Sequence, residues 1–239
     1  MIRLRARVRV FTLAILLSAP AGAEEPESDP RAVALARSAL EAMGGADAWS
    51  AAHYLHWNFR GRRVHDWDRT TGNVRIEAGN RLVLMNVRDG TGSAWEDGQE
   101  ITDEAALGEA LEQGHAWWVN DAYWLIMPYK MLDPGVVLRY AGPGELPDGR
   151  AAEIVTLTFD DDVGLTPRNR YEVWIAADTG LVEQWAYYRD RDDPEPRLTS
   201  PWSGWQRFGG ILLSTDRGDD HDWEIAVADS VPAALFEQP

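Results

Sequence analysis

The stretch that decides the fold is His115 to Gly135, HAWWVNDAYWLIMPYKMLDPG. Tryptophans 117, 118 and 124, tyrosines 123 and 129 and several large aliphatic residues crowd into it. At helical spacing Trp118, Ala122, Leu125, Ile126 and Tyr129 form one stripe, while Trp117, Tyr123, Trp124 and Met127 cover most of the remaining circumference. A helix that is apolar nearly all round must be covered on both sides. Pro128 and Pro134 predict that it is confined to about three turns, far short of the roughly 20 residues that a membrane span needs. The expectation is a buried plug, or a lid lying on an apolar surface.

Working outward, Thr102 or Asp103 can cap a preceding helix that carries Leu107, Ala110 and Leu111 on one face and ends at Gly114. Together the two segments make a helical insert over about residues 103–130. Nearer the N-terminus, Asp29 and Pro30 open an amphipathic helix with Ala32, Leu35, Ala36, Ala39, Leu40 and Met43 at helical spacing, and Gly44-Gly45 stops it. The period then switches to two. Leu55, Trp57 and Phe59 alternate with His56, Asn58 and Arg60; Val74 and Ile76 alternate with Arg75 and Glu77; the Gly72-Asn73, Gly79-Asn80, Asp89-Gly90 and Asp97-Gly98 pairs supply turns. In the strand at 82–87, Leu84 points one way and Val83 and Met85 the other, so both faces are covered. Beyond Gly135 the alternation returns, and a turn at Asp178-Thr179-Gly180 sets Trp174 and Trp185 on strands expected to pair. The pattern predicts a mainly β, α+β protein: about ten or eleven antiparallel strands curled around helices, with one helical lid or plug.

The ends and the composition constrain the setting. Residues 1–23 place four arginines ahead of a short apolar run and an Ala21-Gly22-Ala23 cleavage pattern, which reads as a secretory signal peptide. Residues 24–239 then form a single domain in the periplasm, without a stable membrane anchor. The sequence has no cysteine, hence no site for lipid acylation and no disulfide. Its 39 acidic residues against 23 basic ones give a formal net charge of −16, which repels phosphate backbones and anionic headgroups and speaks against nucleic acid as a partner.

Catalytic chemistry finds little support. His53, His56, His65, Asp66 and Asp68 read as exposed residues at strand ends, with His53 and His56 on opposite faces of a strand. Asp160-Asp161-Asp162 lacks the spacing and glycine of a calcium loop. Nothing matches a nucleophile elbow, a phosphate loop or a zinc-protease helix. The expectation is a non-enzymatic protein with no cofactor and no metal. Asp121 reads as a cap or a partner for a nearby amide. Lys130, the only lysine in the chain, can pair with Asp133 or Asp121, or meet a ligand headgroup.

Several segments resemble a known family: WVNDAYWLIMPYKMLDPGV at 118–136, EVWIAADTGLVEQW at 172–185, GWQRFGGILLST at 204–215 and IAVADSVPAALFEQP at 225–239, with ALEAMGGADAW at 39–49. Together they look like the periplasmic lipoprotein-carrier superfamily of LolA and LolB type. The resemblance implies an open antiparallel half-barrel, a helical lid and an apolar cavity that takes acyl chains; the anchoring cysteine of the receptor branch is missing here. Trp57, Phe59, Leu84, Trp117, Trp118, Tyr123, Trp124, Leu125, Met127 and Lys130 are then the candidate ligand-binding residues, with a lipid or lipoprotein acyl chain as ligand. Two alternatives are an envelope sensor or protein-interaction module on the same half-barrel, and an enzyme with carboxylates at the barrel mouth. A filled interior with an exposed apolar patch would favour the first of these.

Overall fold

The computed structural model describes residues 27–161 and 163–237, so the signal-peptide reading of residues 1–23 lies outside the described residues. Helix α1 (Pro30–Ala42) begins as the sequence predicts: the Asp29 carboxylate accepts from the Arg31 amide at 2.8 Å, and Ala32, Ala36, Ala39 and Met43 are buried. Gly44 follows with φ +123°, and a Cβ there would lie 2.5 Å from the Gly210 carbonyl oxygen. Both facts require glycine at this exit into α2 (Gly45–Ala51).

Fourteen strands lie among the described residues, three of them four residues long or shorter. β1 (Tyr54–Phe59), β2 (Arg63–Asp68), β3 (Asn73–Ala78), β4 (Arg81–Asn86), β5 (Gly92–Glu96) and β6 (Gln99–Glu100) form an antiparallel meander, and β14 (Ala226–Ala228) returns from the far end of the chain to flank β1. β7 (Val136–Glu145), β8 (Ala151–Phe159), β9 (Arg170–Ala176), β10 (Val182–Tyr188) and β11 (Leu198–Pro201) make a second meander of five strands. β12 (Ser203–Phe208) and β13 (Ile211–Asp216) form a separate hairpin. Every pairing is antiparallel, and neither large sheet closes on itself. The architecture is the mainly β, antiparallel arrangement that the alternation predicts, with fourteen strands where about ten or eleven were expected, and it is consistent with the open half-barrel with a helix that the resemblance implies.

The helical insert differs from its prediction. Instead of two helices broken at Gly114 and stopped by Pro128, one helix, α3 (Glu104–Lys130), runs for 27 residues through both positions. Asp103 caps it through the Ala106 amide at 2.9 Å. Gly114 does not end the helix because its role is close approach: a Cβ there would meet Val83 Cγ1 at 2.9 Å, so glycine lets α3 lie directly on β4. Pro128 has no N–H to offer the Trp124 carbonyl one turn earlier. The Arg217 guanidinium supplies the missing donors, with Nη2 at 2.8 Å and Nε at 3.2 Å from that oxygen.

α3 serves three core clusters in succession. Ala110 packs with Val74, Ile76, Val83, Met85 and Ala94 of the seven-stranded sheet. Ala122, Leu125, Ile126 and Tyr129 join Leu55, Trp57, Phe59, Ile211, Leu213 and Trp223. Met127 and Met131 join α1 and the inner face of the five-stranded sheet. This all-round burial is what the apolar circumference of the helix demands.

Candidate functional site

On β9 and β10, Tyr171 lies opposite Tyr187 and Val173 opposite Trp185, so alternation aims Tyr171 and Trp185 at the helix. Their rings stack in parallel, with centroids 5.1 Å apart and planes within 1°. Trp174 follows Val173 by one position and therefore faces the other way, packing beside Leu146, Ala152 and Ala176. Around the Tyr171–Trp185 stack stand Tyr123 at 5.2 Å, Tyr187 at 5.4 Å and Phe159 at 5.9 Å from Tyr171, with Trp124 edge-on to Trp185 at 4.8 Å. Tyr171, Trp185 and the adjoining Trp202 are buried, whereas Tyr123, Trp124, Phe159 and Tyr187 are half-buried. The result is an aromatic arc along the seam between α3 and the five-stranded sheet. Burial pushes the Tyr171 hydroxyl up to about 12, so it stays protonated.

The other side of α3 is tied to the seven-stranded sheet by charge. Asp121, fully buried, accepts from Arg63 through Nε at 2.6 Å and Nη2 at 2.8 Å, and lies 2.7 Å from His65 Nε2. Burial opposes the Asp121 charge, but the bonds from Arg63 and His65 outweigh it and hold the carboxyl below its usual range. Burial depresses His65 despite the Asp121 contact, which keeps the imidazole neutral; its ring stacks on Trp57 at 4.5 Å. Two expectations are corrected here. Asp121 is an inter-element ion-pair partner rather than a local cap, and His65 and Asp66 are buried in the middle of β2 rather than exposed at a strand end.

The ten sequence-selected residues divide among separate places. Tyr123, Trp124 and Met127 meet the five-stranded sheet at the arc. Trp57, Phe59 and Leu125, exposed by 0, 6 and 1%, sit in the packed interior of the neighbouring cluster. Trp117 and Trp118 lie half-buried against the seven-stranded sheet, where Trp118 meets Trp67 edge-on at 5.1 Å. Leu84 is buried on the face opposite Val83 and Met85, away from α3. Lys130 pairs with Asp133. Sequence reasoning missed Phe159, Tyr171, Trp185 and Tyr187 as site residues, although their aromatic alternation along β8 to β10 was readable.

No group of three or more His, Cys, Asp or Glu side chains among the described residues is arranged to hold a metal ion. None of the described helices is long and apolar enough to cross a membrane.

No family model matches the chain, and no curated protein matches it. Solved structures similar to it include a DUF1329 family protein from Desulfovibrio piger, at 14% identity over 87% of this chain and 98% of that one, with a TM-score of 0.44. A LolA superfamily protein from Nitrosomonas europaea is 11% identical over 86% of this chain and 96% of its own, with a TM-score of 0.43. MucB is 19% identical over 69% of this chain and 55% of its own, with a TM-score of 0.29, so the matched part spans about half of MucB.

Proposed function

We propose that this protein is an exported, non-enzymatic binding protein for an apolar chain, of the lipid or lipoprotein acyl class, which it takes up along the aromatic arc between α3 and the five-stranded sheet. The observation that carries this reading is the arc itself: four half-buried rings, Tyr123, Trp124, Phe159 and Tyr187, around a buried aromatic stack at the seam between α3 and the five-stranded sheet. Large rigid aromatic walls suit an alkyl chain, and each buried methylene contributes about 0.8 kcal/mol. Because Trp57, Leu125 and Met127 are sealed in the interior, the chain enters at the seam rather than at the barrel centre.

Titration with a fluorescent fatty acid tests the reading. Saturable binding is expected, with severalfold weaker binding in Trp124→Ala and a melting temperature only modestly lowered. A parent protein that binds no probe overturns it, as does a folded Trp124→Ala that binds like the parent. If Trp124→Ala loses its cooperative melt, Tyr187→Ala carries the same comparison at the half-buried edge of the arc.

A second reading, docking of an envelope protein, is favoured by β11: it is the outer strand of the five-stranded sheet and carries Leu198, 38% exposed. An outer strand can accept a further strand from a partner.

A further inference from the structure

Trp124 is the ring of the aromatic arc that also borders the β1 cluster, and a guanidinium covers it there: the Arg60 carbon Cζ stands 4.6 Å from its ring centroid. Arg60 occupies the turn between β1 and β2 with φ +55°, a conformation uncommon outside glycine, and the Asn58 side chain holds that turn by accepting from the Gly61 amide at 2.9 Å. Its partner is Asp219, in the loop after β13. Arg60 Nη2 lies 3.1 Å from the Asp219 carboxylate, and the two side chains are 29 and 25% exposed, so the ion pair stands at the rim of the arc.

The pair is incompletely satisfied. Arg60 Nε and Asp219 Oδ1 are both buried, and neither has a hydrogen-bond partner among the described residues. His221 Nδ1, 3.6 Å from that Asp219 oxygen, is too far away to donate to it. A buried donor or acceptor left unpaired is destabilising, and more so on a charged group. The other guanidinium beside Trp124 has no such spare capacity, because Arg217 gives its hydrogens to the carbonyls of Trp124, Ser214 and Asp216 and to the Ser214 hydroxyl. Arg60 and Asp219 therefore offer a ligand one donor and one acceptor, next to an aromatic wall.

That combination discriminates among the heads an acyl chain can carry. A free carboxylate would accept from Arg60 but set its charge against the unpaired Asp219 oxygen, and an ammonium would donate to Asp219 but oppose Arg60. A neutral head with a hydroxyl beside an ester carbonyl serves both: the carbonyl accepts from Nε and the hydroxyl donates to Oδ1.

We propose that Arg60 and Asp219 select the acyl ligand by its head, taking a neutral hydroxylated acyl ester in preference to a free fatty acid; this rests on the reading that the arc binds an acyl chain. Displacement of a bound fluorescent fatty acid tests it, with three competitors of equal acyl length below their micellar concentrations: a 1-monoacylglycerol, a fatty acid methyl ester, which has the acceptor alone, and the free fatty acid. The monoacylglycerol is expected to displace the probe at a concentration at least about fivefold lower than either of the others. Arg60→Met and Asp219→Asn should each shrink that margin to less than about twofold, and Asp219→Asn should also strengthen the free fatty acid, whose charge it no longer opposes. The readout is a ratio between heads, which a mere loss of packing on Trp124 leaves unchanged. Equal displacement by the three competitors overturns this inference while the arc reading stands, and so does a preference unaltered in both folded variants. A parent protein that binds no probe overturns both.

Discussion

At the scale of single residues, the most informative side chain is Arg217, a guanidinium only 3% exposed. Every hydrogen bond it makes goes to a neutral oxygen: the carbonyls of Trp124, Ser214 and Asp216, and the Ser214 hydroxyl. It stands 3.6 Å over the Trp202 ring, and burial lowers its pKa to about 9. Such a costly group is retained because Pro128 has orphaned the Trp124 carbonyl in the middle of a buried helix. An unsatisfied buried acceptor costs about 1–3 kcal/mol, which is the loss expected for Arg217→Met in urea unfolding. Pro128→Ala restores an N–H one turn after Trp124, so the same Arg217→Met change should cost at least about 1 kcal/mol less in that background, a coupling that a double-mutant cycle reads directly. Equal costs in the two backgrounds would mean that Arg217 acts through its stacking on tryptophan instead. Trp124 and Arg217 are 93 positions apart, which is why Pro128 reads as a helix stop in the sequence.

At the scale of elements, local signals were legible and long-range ones were not. The Asp29 and Asp103 caps, the glycine turns and the alternation in β1, β3 and β9 depend on neighbours a few positions away, and the structure places them as the residues suggest. The length of α3 depends on Val83 beneath Gly114 and on Arg217 beside Trp124, and neither partner can be read from the helix itself. The aromatic arc was half legible for the same reason: Tyr123 and Trp124 stood out in one dense segment, while Tyr171 and Trp185 were ordinary strand residues until the sheet faced the helix. The Gly114 contact is testable. Gly114→Ala gains about 1 kcal/mol of helix propensity, yet its methyl must displace the fully buried Val83, and overpacking of this kind costs about 1–3 kcal/mol. Net destabilisation in chemical denaturation is expected, with Val83→Ala recovering part of it in the double variant. A stabilised Gly114→Ala would show that α3 can lift off β4 at little cost.

At the scale of the whole molecule, α3 is the element through which two open sheets share one interior. Neither sheet closes, so each needs its inner face covered, and the same helix covers both, with Asp121 tying it to β2 on one side and Tyr123 and Trp124 meeting β9 and β10 on the other. The sheets therefore cannot lose their packing independently. Leu125, 1% exposed and packed with Leu55, Trp57 and Phe59 of β1, is a position on the shared helix at which this coupling is open to test. Leu125→Ala should cost about 2–5 kcal/mol, a large part of the 5–15 kcal/mol that stabilises an ordinary domain. Because the loss on one sheet is passed to the other through the shared helix, far-UV circular dichroism and tryptophan fluorescence should report one shared transition, shifted to lower denaturant without broadening. Separate transitions in the two signals would mean that one sheet keeps its structure without α3, and that the helix is a cover on a preformed half-barrel rather than the core that joins its two halves.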